Sequence, residues 1–284
     1  MKYAELRCKS NFSFLQGASH PHELVEEAHR LGYTGLALTD QASVAGVVRG
    51  HTAAKELDFS FSVGAEIQLI DGPCIVLWPI DRSGYGRMCQ LISRGRTRSE
   101  KGTYVIRWRD LCELNQGLIA GLIPYGEVPS NSNQHEGAFC NQAFREVFDD
   151  RAYLLGELHR GVDDLAVLDQ LLALSRKLEL PLVASGNVHY HEARRMIVHD
   201  CITAIRNGTT IDCTHSERFT NSQYHLRNLE EINELYRSYP AAIARTQEIM
   251  DRCGFSLDEL KYEYPEEIAP QGMNQLEHLK RLTW

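Results

Sequence analysis

Nowhere in this 284-residue chain do about 18 apolar residues follow one another, so no membrane-spanning helix is expected. The opening Met-Lys-Tyr-Ala-Glu lacks the apolar core of a secretory signal, and a cytoplasmic location is the expectation. The eight cysteines (8, 74, 89, 112, 140, 201, 213, 253) include no CxxC pair and no zinc-finger spacing with histidine, which leaves reduced thiols as the reading. Excess positive charge is also missing. The formal net charge is −8, so no global basic field draws nucleic acid, and any such contact needs a local patch. Low-complexity runs, internal repeats and a flexible linker are absent before about residue 255. One main domain over 1–255 is expected, followed by a tail at 256–284.

What is present is a 43% hydrophobic chain patterned as strands alternating with helices. Apolar strand-like runs fall at 36–40, 61–69 (interrupted by Gly64), 74–80, 118–123, 153–160 and 180–191. Helices are expected over 21–32, from the forties to about 56, across most of 84–116, and at 163–179, 192–206, 229–237 and 240–252. A last helix reads at 274–284, and 124–137 reads as a surface loop. This alternation predicts an α/β fold with a parallel sheet and outer helices.

The first strand, near 3–9, places Leu6 and Cys8 on one face and Arg7 and Lys9 on the other. Other strand ends carry Asp40, Glu66, the pair Glu157 and His159, and Asn187 with His189. In the final strand Asn187, His189 and His191 are expected to share a face. Each such group alone is usually structural, but recurrence at successive strand ends points to a pocket at a barrel mouth. Three other features read as structural. His20 and His22 flank a helix start, and for Cys201 with Cys213 core packing, from the apolar helical stretch around Cys201, is the reading against a redox-active or ligating pair. The basic cluster Arg94, Arg96, Arg98 and Lys101 reads as a solvated helix end, against the alternative of a phosphate-contacting surface.

Six segments carry a resemblance to a known family. The first three are Ala4-Glu5-Leu6 with Ser10-Asn11-Phe12-Ser13-Phe14-Leu15, Gly17-Ala18-Ser19-His20-Pro21, and Leu36-Ala37-Leu38-Thr39-Asp40. The others are Gly64-Ala65-Glu66, Glu157-Leu158-His159-Arg160-Gly161 and Ser185-Gly186-Asn187-Val188-His189-Tyr190. Over 3–284 the chain resembles the PHP (polymerase and histidinol phosphatase) domain at the N-terminus of bacterial C-family DNA polymerases, in particular the error-prone, translesion type. The resemblance implies a distorted (β/α)7 TIM-like barrel, the PHP fold, as a fragment of a longer polymerase.

Active members of that family hold a cluster of metal ions with His, Asp, Glu and sometimes Cys. Their His-x-His motif corresponds here to Arg7-Cys8-Lys9, a following His to Gln41 beside the retained Asp40, and the closing Asp-x-His to Asn187-Val188-His189. Glu66 and His159 match later ligands. Protonated Lys and Arg have no lone pair for a metal. Arg7, Lys9, Asp40, Gln41, Glu66, His159, Asn187 and His189 therefore read as a vestigial pocket with no catalytic residues and no metal. The remaining alternative is a single weak zinc or manganese site at Asp40, Glu66 and His189. Ion pairs from Arg7 and Lys9 to Asp40 and Glu66 are expected in place of the metals. The resemblance implies a structural domain of a magnesium-dependent polymerase, whose partners are the rest of that chain, DNA reached through it, damage-tolerance accessory proteins and a sliding clamp, with no membrane. The alternative is a metal-dependent phosphoesterase or 3′–5′ exonuclease working with a reduced ligand set.

Overall fold

The computed structural model describes residues 2–124, 141–214, 217–261, 269–270 and 272–284. Most of the expected loop at 124–137, and Cys140, lie outside the described residues.

Short apolar runs give β1 (Ala4–Cys8), β2 (Gly35–Leu38), β3 (Phe61–Val63), β4 (Ala65–Gln68), β5 (Cys74–Pro79), β6 (Leu118–Leu122), β7 (Ala152–Glu157) and β8 (Leu182–Ser185). Between them lie α1 (Pro21–Arg30), α2 (Val47–Glu56), α3 (Arg82–Thr97), α4 (Trp108–Leu114), α5 (Asn141–Phe148) and α6 (Asp164–Leu178). The chain continues through α7 (Met196–Arg206), α8 (Leu229–Leu235), α9 (Ala241–Arg252) and α10 (Gln275–Thr283). The stretch 84–116, expected to be mostly helical, is covered by α3 and α4.

The strands form two hydrogen-bonded sheets, β1-β2-β3 and β4-β5-β6-β7-β8. Gly64 interrupts what is otherwise one bent strand, β3 running into β4. Two bridges join the sheets into a ring. Cys8 pairs in parallel with Val188, and Gln41 with Glu66. Taking β3 and β4 as one strand, seven strands go round, which is the distorted barrel.

The expected parallel sheet needs correcting at one place. β5 runs antiparallel to both β4 and β6. Leu69 and Pro73 close a tight reversal, with Leu69 N donating to Pro73 O at 3.4 Å, where a parallel connection would need a crossover helix.

Buried apolar residues separate into two clusters. The larger one joins the outer strand faces to the helices, through residues such as Leu36, Leu38, Leu77 and Leu154 against Leu24, Met88, Phe144 and Leu171. The smaller one fills the barrel with Ala4, Leu6, Ala37, Val76, Trp78, Ile119, Tyr153, Leu155 and Val183, joined by Ile249 and Met250 of α9. That helix seals the end where β1 and β2 begin. Thr246 Oγ1 accepts from Ala4 N at 3.1 Å, and Met250 lies against Gly35. Inside, the Trp78 indole donates to Leu6 O at 2.9 Å, and a side chain at Gly121 would meet that ring at 2.6 Å. With the bottom sealed and packed, the polar groups are left at the other end.

Candidate functional site: an ion-pair network in the barrel mouth

Strand β1 delivers the cations by means of a bulge. Its pairing with β2 runs Ala4 to Gly35, Glu5 to Leu36, then Cys8 to Leu38, so Leu6 and Arg7 together oppose Ala37. A bulge of this kind turns two consecutive side chains to the same side. Leu6 packs in the inner cluster, Cys8 in the outer one, and Arg7 points into the mouth. The simple alternation that grouped Leu6 with Cys8 therefore fails, and the bulge is the reason.

The guanidinium of Arg7 and the ammonium of Lys9 converge on one carboxylate. Arg7 Nε donates to Glu66 Oε2 at 2.7 Å, and Lys9 Nζ lies 2.8 Å from Glu66 Oε1. A second branch runs from Arg7 Nη1 to Glu157 Oε1 at the end of β7. Two cations thus face two carboxylates, all largely withdrawn from water. Burial alone would raise Glu66, but Arg7 and Lys9 overturn that and hold its carboxyl far below the ordinary range. Burial likewise opposes ionisation of Glu157, and Arg7 with His159 outweighs it. Arg7, disfavoured by burial, is held charged by Glu157 and Glu66. Above the network lies a cavity of about 280 Å³ lined by Arg7, Glu66, Gln68, Cys74, Glu157 and Asn187, among others. The Cys74 thiol is pushed up by burial and by Glu66, which favours its protonated form.

Asp40 does not join this network, which corrects the pairing expected for it. Its carboxylate accepts from Ser10 N at 2.8 Å, Ser10 Oγ at 2.7 Å and Ser13 Oγ at 2.7 Å. Burial raises it to about 6, against the pull of the Ser13 and Ser10 hydrogen bonds. Gln41 takes a hydrogen bond from the Gln16 amide, and its own amide approaches Tyr104 OH at 3.4 Å.

The last strand also departs from expectation. β8 stops at Ser185, and Asn187 adopts a left-handed φ of 46°, which breaks the alternation through His191. His189 Nδ1 sits 3.1 Å from Gln16 O, and Nε2 sits 3.2 Å from the Asn187 carboxamide. Burial, then Lys9, keep His189 well below the usual histidine range, so it is neutral. A neutral ring donating to Gln16 O needs a donor at Nε2, which the Asn187 NH2 supplies when its amide is turned accordingly. His191 instead meets Ser19 Oγ at 2.7 Å. His159 Nε2 is 3.5 Å from Glu157 Oε2, too far for a strong hydrogen bond, and its ring stacks on Tyr224 at 4.0 Å.

Of the residues marked in the sequence, Arg7, Lys9 and Glu66 come into direct contact. His159 touches the network through Glu157, and His189 pairs with Asn187. Asp40 and Gln41 are held separately. Among the described residues, no group of three or more His, Cys, Asp and Glu is arranged to hold a metal ion. The basic cluster is largely tied down, with Arg94 and Arg98 on Asp110 and Arg96 on the carbonyls of Ala42 and Thr103.

Sequence reasoning missed Glu5. It is buried, forms no ion pair among the described residues, and accepts from Tyr3 OH at 2.7 Å, Arg7 N at 3.0 Å and Gly186 N at 3.0 Å. Burial raises its pKa. The absence of a side chain at 186 is what admits it, since a Cβ there would lie 2.4 Å from Glu5 Oε2. The Glu-then-Gly coincidence was present in the sequence, but nothing local connects positions 181 residues apart.

With this geometry in place, similarity to known proteins can be set beside it. The PHP domain model matches residues 5–160. Over the whole chain, an error-prone DNA polymerase of Rhodopirellula baltica is 54% identical, and the match covers 25% of that protein. One of Pseudomonas aeruginosa is 44% identical over 99% of the chain, again covering 26% of the relative. The chain spans about a quarter of the length of these curated relatives. Among solved structures, a two-domain protein of Bacteroides vulgatus, described as containing a predicted PHP-like metal-dependent phosphoesterase, aligns with a TM-score of 0.43 at 14% identity, over 83% of this chain and 63% of that one.

Proposed function

The chain belongs to the PHP domain family, and from that premise we propose that it is the PHP domain of an error-prone, translesion DNA polymerase whose metal pocket has become an ion-pair network with a structural role. On this reading residues 1–255 are the barrel, and 256–284 begin the connection to the polymerase region. The remainder of the polymerase is the first partner, and accessory proteins, clamp and DNA are met through that longer protein.

The observation that carries the reading is the occupancy of Glu66. Arg7 takes one of its oxygens and Lys9 the other. A metal entering there would have to displace two buried cations that have no lone pair to offer it. Asp40 is committed to two serines, and His189 to Gln16 and Asn187. The donor set does not fit a catalytic metal cluster, so no hydrolytic step is assigned to the pocket. The reduced-ligand phosphoesterase would need these three side chains released together.

Activity discriminates the two readings. The protein incubated with manganese or zinc should release no phosphate from p-nitrophenyl phosphate and no nucleotide from a 3′ end. Metal-dependent hydrolysis that disappears in Glu66→Gln and His189→Ala would overturn the structural reading.

A further inference from the structure

We propose that the loop after β1 is a contact for single-stranded nucleic acid, with Phe14 as the stacking ring and Arg49 and Arg206 as phosphate partners. This goes beyond the pocket and does not depend on its metal chemistry. Phe14 is 81% exposed. Its loop is nevertheless fixed from beneath. Ser10 and Ser13 are tied to the Asp40 carboxylate, and Ala18 N donates to His189 O at 2.7 Å. Gly17 packs so closely that a Cβ would lie 2.0 Å from Ser10 O, and Leu15 holds a left-handed φ of 57°. An ordered backbone that adopts such a conformation in order to hold a phenyl ring in water is organised for a partner.

The surroundings indicate which kind. Arg206 Nη1 reaches Leu15 O at 3.5 Å, and the Arg49 guanidinium lies over the Phe12 ring at 5.6 Å. Both arginines are exposed. Among the described residues neither is paired with a carboxylate, whereas Arg94, Arg98 and Arg195 are. His20 and His22, exposed and stacked at 5.5 Å, continue the same rim. Of the acids nearby, Asp40 is buried beneath the loop and Glu23 is paired with Arg195. A bare aromatic ring, in a loop whose Phe12 and Leu15 are touched by guanidiniums without carboxylate partners, matches a base face linked to phosphates. Duplex DNA hides its base faces, and an apolar protein surface has no use for two such cations. An unpaired strand uses both features.

Fluorescence anisotropy with a labelled oligothymidylate of about 20 nucleotides tests the proposal. Binding should be salt-dependent, weaken about tenfold in Phe14→Ala and persist in Phe14→Trp. The double variant Arg49→Gln, Arg206→Gln should lower the slope of log K against log salt by about 1.4, roughly 0.7 for each single-strand phosphate that is no longer neutralised. Undetectable binding at low salt, or binding unchanged in Phe14→Ala, overturns it. Self-association in sedimentation that Phe14→Ala abolishes while oligonucleotide binding is unaffected would assign the ring to a protein interface and also overturn it.

Discussion

At the scale of single residues, the mouth of this barrel is governed by what becomes of charge removed from water. Glu66 stays ionised because two cations touch it, and the cations stay buried because two carboxylates face them. Removing one partner leaves the others uncompensated, which costs far more than the intact network contributes. Arg7→Ala, which strips a partner from both Glu66 and Glu157, should lower unfolding stability in urea by about 3–5 kcal/mol, with Lys9→Ala somewhat milder. Unchanged midpoints in both variants would contradict the network's structural role. Asp40 gives a second, opposite signal. Its native pKa of about 6 exceeds the ordinary 3.8, so the folded state binds the proton more tightly than the unfolded chain. The contribution is therefore full below about pH 4 and is lost as pH rises through about 6, an interval worth on the order of 3 kcal/mol. Glu66, depressed by its cations, contributes in the other sense, and that contribution is lost on acidification below the ordinary carboxyl range. Urea titrations of wild type and Asp40→Asn from pH 4 to 7 separate the two. The wild type should lose stability relative to the variant as pH rises, and a constant difference would show that Asp40 is not the titrating group.

At the scale of elements, much was legible and the exceptions share a cause. Alternating apolar runs located every strand of the ring, and Gly64 marked the break between β3 and β4. The antiparallel course of β5 was hidden because an apolar run reads the same in either direction. The bulge in β1 was hidden because it is defined only by pairing with β2, and it alone decides that Leu6 and Arg7 share the inner side. For the site, the identities at Arg7, Lys9 and Glu66 were readable, but the partner was not. Asp40 and Glu157 are both strand-end carboxylates, and only the ring closure brings Glu157 to Arg7. The interior packing makes a sharper claim than the pattern did. At Gly121 an added Cβ would meet an indole already fixed by its bond to Leu6 O. Gly121→Ala should therefore cost about 1–3 kcal/mol through overpacking, read as a shift in thermal midpoint. An unshifted midpoint would mean that Trp78 can move.

At the scale of the whole molecule, the structural role proposed above means a fold that keeps the architecture of a site while replacing its chemistry. A helix plugs one end, strand ends gather polar groups at the other, and the cavity above them is lined by Arg7, Glu66 and Glu157, among others. Two strand-end cations stand where the family resemblance implies metal ligands, so the pocket would hold its carboxylates without an ion. The acidic balance of the chain as a whole leaves nucleic-acid binding to a small rim rather than a field. The most direct test of the central claim is elemental analysis of bound metal per chain, on protein purified without chelators or a metal-affinity column, before and after dialysis against zinc and manganese. Substoichiometric metal in both samples is the predicted result, with Arg7 and Lys9 filling the ions' place. One or more tightly bound ions per chain, lost in Glu66→Gln, would contradict it and return Asp40, Glu66 and His189 to the role of ligands.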